Sequence, residues 1–256
     1  MLFVFSKEKI KSYLVSISTV AILLIASIMI QNNTVNKTIA TYSTIKKIPI
    51  SKVETTEKKV GLSINCIENM KNIDNILSTL SKTKTKATFF ITGDLVEKYP
   101  EEIKKISNSE QEIGNLSNKY TNMCKLNKEE IEKQIQACNN KIEKITNDVP
   151  VLFRAPYGEY NNEIIKTAQD NNMETIQWNI DSLDYNELTT EEICERIQEN
   201  ISNGSIILVH NEYIGESLET IINDIKKSGY KVESVSNILY KNNYEVNENG
   251  TQIKVD

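Results

Sequence analysis

From Lys59 onward two hydrophobic periods alternate along the chain. Short runs rich in β-branched and aromatic residues are separated by longer stretches in which apolar positions recur every three or four residues. The short runs Val60–Ile64, Ala87–Ile91, Glu112–Asn115, Val151–Phe153, Thr175–Trp178, Ser205–Val209 and Tyr230–Val235 are candidate strands. Their shortness and β-branched or aromatic character suit buried parallel strands. The stretch Lys128–Thr146 carries Ile131, Ile135, Cys138, Ile142 and Ile145 on one face and predicts the longest helix. Strand and helix in alternation predict an α/β domain with a parallel sheet, whose ligands bind at the carboxyl ends of the strands. The pattern does not decide whether that sheet is open or closed.

Local signals agree with these periods. Asp94, Asn127 and Thr189 each precede a Glu by three residues (Glu97, Glu130, Glu192), which predicts three capping boxes. Gly204 and Gly229 stand just before strands, where a helix C-cap is expected.

The N-terminal pattern is different. Tyr13 to Ile30 runs eighteen residues without a charge, close to the roughly 20 that span a bilayer as a helix. Lys7, Lys9 and Lys11 precede it, which predicts a cytoplasmic N-terminus and an extracytoplasmic remainder. A cleaved signal peptide is the rival, but no small-residue cleavage site follows the run directly. The expected organisation is a cytoplasmic N-terminus (1–12), a transmembrane anchor (13–30), a polar tether (31–57), the α/β domain (58–241) and a polar C-terminal tail (242–256).

Composition adds limits. A net charge of -5 argues against non-specific nucleic-acid binding, and no nucleic-acid partner is expected. Cys66, Cys124, Cys138 and Cys194 are widely spaced, which favours reduced thiols, with a Cys124–Cys138 bridge as the alternative.

The chemistry lies at the strand ends, in the runs KATFFITG (86–93), EIGN (112–115), FRAPYGEYN (153–161), WNIDSLDY (178–185) and SIILVH (205–210). In order and spacing they resemble the polysaccharide deacetylase family, the NodB-homology domain, from about Val60 to Leu239. The resemblance implies a distorted (β/α) barrel of seven strands. It also implies metal-assisted removal of acetyl groups from N-acetylated amino sugars, with a divalent metal such as zinc as cofactor. Active members carry an Asp-Asp pair after the first strand, the first being the base and the second a metal ligand. Two histidines spaced H-x-x-x-H after the third strand complete the metal site.

This chain departs at all four positions. Asn65 stands at the base position, Cys66 at the second aspartate, and Leu116 and Tyr120 at the histidines. A neutral amide is no general base, and a catalytic zinc needs about three protein ligands, so no metal or other cofactor is expected. By resemblance Arg154 matches the arginine that holds the base, here facing Asn65. Asp184 and His210 match the carboxylate and the acid histidine that it orients. Tyr157 matches the residue whose backbone N–H stabilises the oxyanion. Trp178 and Tyr185 complete the expected substrate-binding wall, Tyr185 standing in for the family's usual Trp. Bland readings compete: Cys66 as a small buried residue, and Arg154 in a structural ion pair with Asp181 or Asp184.

The expectation is a degenerate deacetylase-like envelope protein that binds N-acetylated glycan such as peptidoglycan. Members with eroded metal sites include a group associated with sporulation, which the first-strand motif resembles. An active hydrolase of non-peptide C–N bonds and a scaffold docking another envelope protein are the alternatives.

Overall fold

The computed structural model describes residues 18–29 and 46–255. The chain divides into two units, residues 1–46 and 47–256. In the first unit, residues 18–29 form helix α1, which exposes Val20, Ile22, Leu23, Leu24, Ile25, Ile28 and Met29. Among the described residues no helix is long and apolar enough to cross a membrane. Residues 13–17 and 30 of the expected span lie outside the described residues, as do residues 1–12 and 31–45.

The second unit runs β1 (Lys52–Val53), β2 (Lys59–Cys66), α2 (Ile73–Lys82), β3 (Thr88–Ile91), α3 (Gly93–Lys98), α4 (Pro100–Asn108), β4 (Glu112–Asn115), α5 (Lys128–Thr146), β5 (Leu152–Phe153) and α6 (Asn162–Asp170). It continues with β6 (Glu174–Thr175), β7 (Ile180–Asp181), α7 (Thr190–Asn200), β8 (Ile206–His210), α8 (Asn211–Ile214), α9 (Ser217–Lys227), β9 (Lys231–Glu233), α10 (Val235–Ile238), β10 (Tyr244–Val246) and β11 (Thr251–Lys254).

Seven parallel strands lie in the order β6-β5-β4-β3-β2-β8-β7, and β9 pairs with the start of β2. The strands curve as a half-barrel clad in helices, because β6 and β7 are edges that do not pair with each other. The reason is covalent: only residues 176–179 join them, and a parallel crossover needs about a dozen residues. The sequence pattern merged this region into one strand, Thr175–Trp178, and missed β7. The seam is lined by the N-terminal segment of the unit, which bridges Ile50 to Ile176 and Lys52 to Ser205.

Period-2 alternation sorts side chains between layers. From β2 and β3, Leu62, Ile64, Cys66, Phe89 and Ile91 join the apolar layer under the helices, with Ile76, Leu80, Ile103, Ile197 and Ile221. Ser63, Asn65 and Phe90 lie on the other face, toward Arg154. The expected boxes at Asn127 and Thr189 are both formed, their side chains accepting from the N–H of Glu130 and Glu192. The third is not, because Thr92 caps α3 instead and Asp94 falls in its first turn, where its charge favours the helix dipole. Gly229 follows the α9 C-cap Ser228 with φ +87°, whereas Gly204 lies beyond the α7 C-cap Ile201, in the turn into β8.

Two boundaries move. Residues 47–57, expected as tether, belong to the folded unit, with Ile50 and Val53 buried. The expected polar tail, 242–256, contains β10 and β11; β11 pairs with β1 on one side and β10 on the other in a second small sheet. Their residues are mostly polar, so only tertiary pairing reveals them as strands. The Tyr244 hydroxyl also donates to Glu174 on β6.

Candidate functional site

Arg154 follows β5 and points into the half-barrel, where it is fully buried. Its Nη1 donates to Asn65 Oδ1 at 2.9 Å and its Nη2 to Ser63 Oγ at 3.0 Å. Nη2 and Nε also donate to the carbonyls of Gln177 and Ile176 at 3.2 and 3.3 Å. The guanidinium lies 4.0 Å from the centre of the Phe90 ring and 5.1 Å from that of Trp178, an arrangement favourable to a buried cation. Among the described residues no carboxylate pairs with it, and the ion pair with Asp181 or Asp184 is not formed. Burial lowers its pKa to about 9. These four hydrogen bonds all go to neutral acceptors, which hold the arginine rigid without cancelling its charge.

Across the groove, β8 ends on His210. Its Nδ1 lies 2.8 Å from Asp184 Oδ1, and its own N–H donates to Asp184 Oδ2 at 2.7 Å. A carboxylate at that distance selects the hydrogen on Nδ1, so the neutral ring presents a bare Nε2. Tyr185 and Tyr213 stand edge-on to the imidazole at 5.2 and 6.4 Å. Tyr185 is exposed, and its hydroxyl donates to Asp181 Oδ2 at 3.3 Å.

The third wall holds two tyrosines. Tyr157 sits in the left-handed region at φ +60°, in a short turn after Pro156. Its backbone N–H donates to the Tyr120 hydroxyl oxygen at 3.3 Å, and its own hydroxyl donates to the Tyr120 carbonyl at 3.4 Å. The two rings pack with centroids 4.4 Å apart. The N–H that the family aims at an oxyanion is thus already engaged by a side chain of this protein.

The remaining positions do not fit a divalent cation. Cys66 is fully buried in the apolar layer under the helices. Burial first, and the carboxylate of Glu212 second, push its thiol well up. Leu116 is buried hydrocarbon. Burial also raises the Tyr120 phenol, so its oxygen stays protonated. Among the described residues no three of His, Cys, Asp or Glu lie together as ligands. All four cysteines are free, so Cys124 and Cys138 are not bridged.

One participant was missed by sequence reasoning. Glu212, on α8 two residues after His210, accepts from the N–H groups of Ile67, Glu68 and Asn69 at 2.9, 2.8 and 3.4 Å. Three successive backbone donors form an anion-binding nest, filled here from within. Main-chain donors leave no mark in the sequence; only the adjacency to His210 could have drawn attention to Glu212.

Comparison with known proteins agrees with this architecture. The family model described as polysaccharide deacetylase matches residues 52–176. The uncharacterized protein YlxY of Bacillus subtilis is 31% identical over 75% of this chain and 60% of its own length. A peptidoglycan-N-acetylglucosamine deacetylase of Bacillus cereus is 29% identical over 67% of this chain and 64% of its own length. The chain therefore spans less than two thirds of either relative. Among solved structures, BA3943 from Bacillus anthracis, a CE4 family pseudoenzyme, superposes with a TM-score of 0.73 at 33% identity, covering 81% of this chain and 70% of that one. A BA3943 mutant with restored enzymatic activity matches with the same TM-score at 34% identity, covering 75% of this chain and 71% of that one. Together with the half-barrel and the order of its strand-end motifs, these matches mean that the chain belongs to the polysaccharide deacetylase family.

Proposed function

We propose that this chain is an envelope-bound relative of the peptidoglycan deacetylases that binds N-acetylated glycan without deacetylating it. The observation that carries the proposal is the Tyr120 hydroxyl on the Tyr157 N–H. Where turnover needs a free oxyanion donor beside a metal, this site supplies a protein side chain and no ligand set. Asn65 reinforces the reading, because an amide held by Arg154 takes no proton from water. The groove between Tyr157, Tyr185 and His210 keeps aromatic and polar groups suited to a sugar. The similarity to BA3943, described as a pseudoenzyme, points the same way.

The proposed setting is the outer face of the membrane, with the N-terminal segment as anchor. The exposed apolar residues of α1 support this, since lipid would cover them. A sporulation role rests on the first-strand motif alone; spores of normal cortex from cells lacking the chain would remove it.

The Asp184–His210 pair favours one second reading, an active hydrolase using that pair as its acid side. One assay separates the two. The chain is incubated with peptidoglycan and chitin oligomers, with Zn²⁺ or with chelator, while glycan sedimentation and acetate release are followed together. Sedimentation without acetate is expected. Acetate release that His210→Ala abolishes would establish the hydrolase and end our proposal. In the same assay, the combined variant Asn65→Asp, Cys66→Asp, Leu116→His, Tyr120→His is expected to bind about one equivalent of Zn²⁺ and the natural chain none.

A further inference from the structure

A cavity of about 280 Å³ opens beside the groove, between the strand-end turn at Gly158 and the two terminal segments of the folded unit. Trp178 and Tyr160 give it aromatic walls, and Pro49 and the β10–β11 turn at Glu248–Gly250 close it on the far side. Its size is near the lower end of small-molecule sites, about 300 Å³, which suits one ring rather than a chain. Gly158 keeps it open: at φ +69° it has no side chain, and a Cβ there would come within 3.0 Å of the Trp178 ring and 3.2 Å of Gln177 Oε1.

Gln177 is the buried polar side chain among the residues lining this cavity. It is 8% exposed, and its Nε2 donates to the Gly158 carbonyl at 3.0 Å, which fixes the amide. Its Oε1 accepts no hydrogen bond from the described residues and lies toward the space above Gly158. An oriented acceptor that is more than nine-tenths buried, beside two aromatic rings, is a site for a ring with an apolar face and a hydroxyl or amide N–H edge. The only ionised group lining it is Glu248, which disfavours a carboxylate-bearing sugar.

We propose that this cavity is a second sugar subsite, taking a neutral N-acetylhexosamine ring of the glycan whose neighbouring unit lies in the groove. The proposal rests on the glycan-binding reading above and deepens it. Gly158 directly follows Tyr157, so one turn serves both places. The terminal segments thus acquire a role: they build the outer wall of the subsite.

Trp178 is the only tryptophan in the chain, so the emission comes from this residue alone, and the rim variant Asn249→Phe separates the cavity from the neighbouring groove. The chain is titrated with N-acetylglucosamine oligomers, from the disaccharide to the pentasaccharide, while Trp178 emission is followed. Sedimentation with peptidoglycan is measured in parallel. The expected result is a saturable emission change whose affinity rises with oligomer length. Gln177→Leu is expected to weaken it about tenfold. Gln177 is buried, so Asn249→Phe serves as a second variant, adding bulk at the rim from an exposed turn residue and weakening the longer oligomers alike. If the natural chain fails to sediment with peptidoglycan, the glycan-binding reading falls, and the subsite with it. If it sediments while Trp178 emission stays constant, or if Asn249→Phe leaves oligomer affinity unchanged, the subsite is overturned and the reading stands.

Discussion

Arg154 carries a buried charge whose side-chain acceptors, Asn65 and Ser63, are both neutral. Burial lowers its pKa to about 9, so it remains protonated at neutral pH with its desolvation uncompensated by an anion. Asn65→Asp puts a carboxylate 2.9 Å from that guanidinium with little change of shape. We expect this variant to be more stable by about 1–2 kcal/mol at pH 7, the range of a hydrogen bond between charged partners less some desolvation of the new carboxylate. The sign of its pH dependence follows from the pairing. The new aspartate is held below its unfolded value of about 3.9, so the gain is complete above that pH and vanishes as pH falls through the lowered folded value. Urea unfolding of both chains at pH 7 and near pH 3 measures it, and a variant less stable than the natural chain at pH 7 would refute the account. At this scale much was legible. The positions of Asn65, Arg154, Asp184 and His210 could be read because strand-end motifs keep side-chain identities in order. The Tyr120–Tyr157 contact and the Glu212 nest could not, because each is made with a main-chain N–H that every residue but proline offers.

Secondary elements divide by how much of their stability is local. Helices α5 and α7 start at capping boxes written in the sequence, and Thr189→Ala is expected to cost about 1 kcal/mol. Gly204 belongs to the other kind. At φ +73° its absent Cβ would fall 1.9 Å from the Val53 carbonyl oxygen, so the turn into β8 and the N-terminal strand touch backbone to backbone. Gly204→Ala is expected to cost about 3 kcal/mol or more, through strain and separation of β1. Guanidinium unfolding of the two variants compares them, and equal midpoints would contradict the close packing described here. The same division explains which strands could be read. Strands β2, β3 and β8 are buried on both faces and stand out as apolar runs. Strands β1, β7, β10 and β11 are two to four residues long and largely polar, and they exist because neighbours supply their hydrogen bonds. Asp94 shows the limit of reading caps by residue type, since Thr92 stood two places earlier and took the position.

At the scale of the folded unit, the two ends of its chain meet beside the open edge of the half-barrel. Removing residues 242–256 takes away β11, the partner of β1, and β10 beside it, together with the Tyr240 N–H bond to Gln252 and the Tyr244 bond to Glu174. The truncated chain is expected to melt at least about 5 °C lower, the shift that a loss of roughly 2 kcal/mol gives a domain of this size. Calorimetry of the two chains decides it, and an unchanged melting temperature would return these residues to the status of a dispensable tail. The arrangement also sets the path of mechanical load. A pull entering the unit at Lys47 meets that residue's N–H bond to the Asn162 side chain and then Ile50, whose N–H bonds the Thr175 carbonyl and whose carbonyl accepts the N–H of Gln177. Tension on the chain therefore bears on the backbone of the residue whose side chain faces the cavity. A protein leashed to a surface by that segment and gripping a wall polymer would carry strain between leash and load through these few backbone bonds.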